Sequence, residues 1–120
     1  MPDVLGSFGH ALDGLVQLLR TQRNFRIHLG AGLLALGLAA ALGFSLLEWA
    51  ILVLTIALVL AAEGLNTGIE IAVTLASPER RPEAKAAKDI AAGVVLLCAI
   101  ASVAIGVLLS LPHLQRLFVQ

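Results

Sequence analysis

The segment AAEGLNTGIE, residues 61–70, sets two carboxylates and an amide between long apolar runs. Glu63, Asn66 and Glu70 are three and four residues apart, the spacing that stacks side chains on one face of an α-helix. At about 100° per residue, Glu63, Asn66, Thr67, Glu70 and Thr74 fall within roughly 100° of arc, a single polar stripe. A carboxylate in such a stripe can take a proton or hold a cation, and ionisable groups in a membrane-grade segment are costly enough to mark functional sites. Further on, Lys85, Lys88 and Asp89 share a similar arc, which predicts a second stripe facing the first. Between the two lies the loop Ser77-Pro78-Glu79-Arg80-Arg81-Pro82, whose prolines and charges read as water-exposed. Two ligand chemistries suit this set. One is a divalent cation with a phosphate: Mg²⁺ takes one or two carboxylates plus phosphate oxygens, and lysine and arginine hold the phosphates. The other is a transported cation or proton. Because these groups gather at one end, with only Thr55 and Ser102 in the other half, surface chemistry is favoured over a midplane transport site.

The elements that must carry these side chains follow from composition. Of 120 residues, 59% are hydrophobic and 13% charged, and mean hydropathy is +0.97, which marks an all-α integral membrane protein of one domain. Three apolar stretches, about 29–47, 49–76 and 90–111, are each long enough to span. Their alanines and glycines favour close packing in a compact bundle. Gly43-Phe44-Ser45 breaks the first from the second, and Glu48 and Trp49 after it are an interfacial polar and aromatic pair. Upstream, Val4, Leu5, Phe8, Leu12, Leu15, Val16 and Leu19 recur at helical spacing opposite Asp3, His10, Asp13, Gln17 and Arg20. That pattern predicts an amphipathic surface helix over about 3–22 rather than a cleavable signal peptide. Seven of the eight basic residues lie before the first span or between the second and third. The positive-inside rule therefore puts the N-terminus and the Pro-rich loop in the cytoplasm and the C-terminus outside. Counted from Trp49, Glu63 lies about 21 Å and Glu70 about 32 Å along the helix, so both are expected to meet cytoplasmic water. His28, at the start of the first span, and His113 and Arg116, on the outer side, read as interfacial residues. Cys98 reads as a small core residue.

EGLNTGIE at 63–70, AKAAKDIAAGVVLL at 84–97 and RNFRIHL at 23–29 together resemble the small prokaryotic membrane lipid kinases, the diacylglycerol kinase and undecaprenol kinase family. The resemblance covers nearly the whole chain. It implies a homotrimer of three-span subunits in the plasma (inner) membrane, with active sites shared between neighbours, transferring the γ-phosphate of ATP to a lipid hydroxyl. Residue by residue, Glu63 matches the general base and Asn66 a residue that orients the site. Glu70 matches a carboxylate holding the Mg²⁺ of the nucleotide, and Lys88 and Asp89 match residues at the ATP phosphates. Glu79, Arg80 and Arg81 align with the border of the nucleotide site. Three positions depart from the family pattern. Gln22, a neutral oxygen donor, stands where a second metal-binding Glu is usual, Thr74 where an Asp is common, and Asp13 where a basic residue is usual. Neither a P-loop nor a protein-kinase Gly-rich loop is present, and nothing points to nucleic acid. RNFRIH and the SPE loop lean toward undecaprenol over diacylglycerol as acceptor. The rival from another class is a non-catalytic scaffold whose polar stripe only locks a trimer.

Overall fold

Asp3 starts the first helix by accepting the Gly6 N–H on its carboxylate at 2.7 Å, the usual service of an aspartate at a helix N-cap. A computed structural model describes residues 3–119, which form four helices: α1 (Val4–Thr21), α2 (Arg23–Leu42), α3 (Leu46–Ala76) and α4 (Pro82–Phe118). The corner between α1 and α2 is a single extended residue, Gln22. It is fastened by Arg26, whose guanidinium donates to the Leu19 and Arg20 carbonyls at 2.8 and 3.1 Å, satisfying acceptors that the end of α1 leaves free.

Gly43 ends α2 in the left-handed region, φ 73°, where any side chain would be strained. The first apolar stretch thus runs past its helix: residues 44–47 belong to the turn and to the start of α3. There Ser45 and Glu48 cap each other reciprocally, the Ser45 hydroxyl accepting the Glu48 N–H and the Glu48 carboxylate accepting the Ser45 N–H. His113 of α4 stands 2.9 Å from the same carboxylate and stacks on Phe44, with ring centroids 5.1 Å apart. Glu48 and His113 therefore clamp α3 to α4 at the turn end, a closer engagement than the interfacial roles expected of them. At the opposite end Pro82 sits in the first turn of α4, where its missing N–H costs nothing.

α2, α3 and α4 are each long and apolar enough to cross a membrane. The 31 residues of α3 and 37 of α4 reach roughly 46 and 55 Å, well beyond a hydrocarbon core of about 30 Å, so their loop ends project past it. α3 packs along α4 and against α2, and α2 in turn touches α4. The interior is thin: Phe25, Ala39, Leu52, Val59, Ala91 and Val95 are its buried apolar side chains, joined by Thr55, Glu63 and Thr67. Most leucines face outward, as they do where lipid is the solvent.

Gly32 lets α2 meet α3 closely, since a Cβ there would stand 2.9 Å from Ile56 Cγ2. Ile56 is β-branched and stiff in a helix, so it cannot swing aside. Gly32→Val is expected to lower stability by about 1–3 kcal/mol, read as a lower thermal midpoint of the protein in detergent.

Candidate active site

Glu63 is 4% exposed, buried between helices in a protein with little interior. Its carboxylate faces α2, where His28 Nε2 stands 3.3 Å from Oε1. One turn on, the Thr67 hydroxyl donates to the Glu63 carbonyl at 3.1 Å and is itself buried. Gly64 admits α1, and a Cβ there would lie 3.3 Å from Leu18 Cδ1. Both carboxylates are expected to meet water; Glu63 is buried between helices, whereas Glu70 is exposed on the surface of the chain. The cause is the packing of α3, which turns its Glu63 face into the α2 contact. His28, read as interfacial, is instead the residue beside this carboxylate. Its signal lay in the turn: His28 is roughly 22 Å before Gly43 and Glu63 roughly 27 Å after Ser45, within one helical turn of the same height.

Asn66 lies three residues on but faces the other way. It lines a groove between α3 and α4 with Leu65, Ile69, Ala87, Ile90 and Ala91, and its Oδ1 is buried with no hydrogen-bond partner. The polar stripe of α3 thus divides between two interhelical seams rather than forming one surface. An amide oxygen without a donor is a costly thing to bury, and marks a place where a donor belongs.

At the loop end, a cleft of about 550 Å³ opens between the end of α3 and the start of α4. That volume lies within the usual range for small-molecule sites. Thr74, Glu79, Arg80, Arg81, Lys85, Lys88 and Asp89 line it, so five of the residues expected at a nucleotide are together. Glu70, expected with them, is not in its wall. Four cations face two carboxylates here, which favours anions. Arg81 pairs with Glu79 at 3.5 Å and Lys85 with Asp89 at 2.5 Å. Asp89 also holds the Lys85 ammonium above the usual lysine range by its hydrogen bond and charge. Among the described residues, Arg80 and Lys88 form no ion pair, and Lys88 is half-buried.

Residues 9–110 match the family model described as prokaryotic diacylglycerol kinase. The chain belongs to the prokaryotic diacylglycerol kinase family. It is 44% identical over 119 residues to a diacylglycerol kinase of Synechocystis sp., covering 98% of this chain and 68% of that one. It is 43% identical over 108 residues to an undecaprenol kinase of Bacillus subtilis, covering 90% of this chain and 88% of that one. Every candidate residue from Gln22 to Asp89 falls inside the span that matches the prokaryotic diacylglycerol kinase model.

For a member of the prokaryotic diacylglycerol kinase family, the metal that the resemblance implies is Mg²⁺. Among the described residues no three His, Cys, Asp or Glu side chains gather into a metal cage. Mg²⁺ needs none, since it keeps several waters and binds through one or two carboxylates and the phosphates of its nucleotide. Exposed Glu70, which has no ion-pair partner among the described residues, fits that requirement. Gln22 offers an amide oxygen, its Nε2 being turned to the Thr21 hydroxyl at 3.2 Å. Thr21 borders the same groove as Thr67, Gly68 and Ile71, so the α1–α2 corner lies beside the Glu70 turn of α3.

Proposed function

We propose that this chain is a lipid kinase that transfers the γ-phosphate of ATP to the primary hydroxyl of a membrane lipid at the cytoplasmic face of the plasma membrane. Glu63 takes the hydroxyl proton as the lipid oxygen bonds to Pγ and the bond from Pγ to the departing ADP oxygen breaks. Asn66 orients the reacting groups, its orphaned Oδ1 ready to accept a hydrogen bond. Lys88, with Arg80 and Arg81 at the rim, neutralises charge on the phosphates, and Glu79 and Asp89 hold Arg81 and Lys85 in place. Glu70 and Gln22 would hold a Mg²⁺ that enters with ATP and would add to the neutralisation of the nucleotide phosphates.

The observation that carries this reading is a buried carboxylate on α3 and, about three turns further along that helix, a cation-lined cleft between the end of α3 and the start of α4. Phosphoryl transfer asks the protein for little else, since catalysis there is positioning and charge stabilisation. The distribution of lysine and arginine supports a cytoplasmic N-terminus and loop and an outer C-terminus. The exposed Val4, Leu5, Phe8 and Leu12 of α1 support a helix lying in the headgroup plane. A homotrimer with shared sites is the assembly we propose, and the thin interior of one subunit supports it.

Undecaprenol is the acceptor we place first, on RNFRIH and the SPE loop, and diacylglycerol second. The two relatives stand at nearly equal identity and so do not divide them. In lipid vesicles with ATP and Mg²⁺, the purified protein is expected to label undecaprenol faster than diacylglycerol. Labelling of diacylglycerol alone reverses the acceptor order. Labelling of neither leaves the scaffold reading in its place.

A further inference from the structure

A carboxylate buried where Glu63 is must find a donor, because desolvation penalises its charged form and an ionised carboxylate is acceptor-only. Among the described residues, no other side chain is recorded as an ion-pair or hydrogen-bond partner of its oxygens. The ring nitrogen at 3.3 Å from Oε1 is the neighbour that α2 brings. His28 is 26% exposed in its side chain against 5% for Glu63, so it stands on the outer edge of the pair. Its helix is fixed there by the Arg26 fastening on α1 and by Gly32, one turn along α2, seated on Ile56.

We infer that His28 is a positioning residue for the phosphoryl transfer, its Nε2–H donating to Oε1 of Glu63 so that the carboxylate is held in one orientation with its other oxygen aimed at the lipid hydroxyl. The inference rests on the kinase reading above and deepens it. His28 touches neither nucleotide nor lipid in this role; it acts through Glu63. A neutral imidazole suffices, since one N–H satisfies one carboxylate oxygen and leaves Oε2 with its lone pairs for the incoming proton.

His28→Leu removes the donor at similar bulk, and His28→Gln keeps an N–H near the position of Nε2. In vesicles with ATP, Mg²⁺ and the lipid acceptor, His28→Leu is expected to lower kcat by roughly ten- to a hundredfold with the KM values for ATP and lipid unchanged. His28→Gln is expected to recover most of that loss. Equal impairment of the two variants, or wild-type kcat in His28→Leu, overturns the inference. Infrared spectroscopy tests the pair without any turnover. The Glu63 carboxylate band, identified by its absence in Glu63→Gln, is expected to move in frequency in His28→Leu, where the donor to its oxygen is gone, and to return toward the wild-type position in His28→Gln. A carboxylate band unchanged in His28→Leu also overturns it. Absence of phosphate transfer by the wild-type protein sinks the kinase reading instead, and the infrared result then still decides the His28–Glu63 pair.

Discussion

Glu63→Gln leaves a folded, membrane-inserted protein whose kcat for phosphate transfer is expected to fall by roughly 10²–10⁴, the range that general-base catalysis contributes. The substitution is nearly isosteric and keeps an oxygen beside the His28 ring nitrogen, so the α2–α3 contact retains its shape. What disappears is the capacity to take a proton. Because neither the cleft at the loop end nor the apolar groove beside Asn66 includes Glu63, the KM for ATP and that for lipid are expected to stay near wild-type values. The check is steady-state kinetics in vesicles alongside a thermal melt in detergent. A lower kcat with an unchanged melt is the expected pair of results. Transfer at the wild-type rate removes Glu63 as the base, and a collapsed melt assigns its burial to folding alone.

Much of this arrangement was legible in the chain, and the boundary of legibility is physical. Local rules read the elements: the break at Gly43-Phe44-Ser45 and the prolines of the 77–82 loop act within a few residues, whereas the Ser45–Glu48 capping box, equally local, is hidden behind the interfacial reading of Glu48. The same holds for Lys85 and Asp89, four apart on one helix and paired as that spacing allows. Helical periodicity put Glu63, Asn66 and Thr67 on one arc, yet it carries no information about neighbours. α3 packs against two helices, so an arc of roughly 100° is wide enough for Glu63 to enter one seam and Asn66 the other. The two histidine contacts show the same limit. His28 meets Glu63 from a different helix, and His113 meets Glu48 across 65 residues. Neither carboxylate has a cation near it in sequence, so only helix heights measured from the Gly43 turn point to the first pair. Glu70 is the converse case: the spacing groups it with the nucleotide residues, while the folded chain leaves it exposed outside the wall of their cleft.

Lys88 and Lys85 differ by three residues and by their partners, and that difference yields a prediction that sequence alone does not make. Both line the loop-end cleft. Lys85 is exposed and tied to Asp89, so much of its charge is already answered within the protein. Lys88 is half-buried and has no carboxylate partner among the described residues, so its ammonium remains available to an anion. In phosphoryl transfer negative charge spreads over the oxygens of the moving group, and a preorganised cation there acts with little reorganisation. Lys88→Ala is therefore expected to lower kcat by about 10²–10³, the usual cost of removing one such group, while Lys85→Ala costs far less. Lys88→Arg should recover only part of the loss, because a planar guanidinium on a longer fork does not present its charge where a compact ammonium did. Steady-state kinetics with varied ATP distinguishes the sources of the effect. A rise in KM for ATP with kcat unchanged would make Lys88 a ground-state anchor and nothing more. If Lys85→Ala proves as damaging as Lys88→Ala, then the Lys85–Asp89 pair opens when ATP enters, and the division of labour drawn from the ion pairs of the cleft has to be reversed.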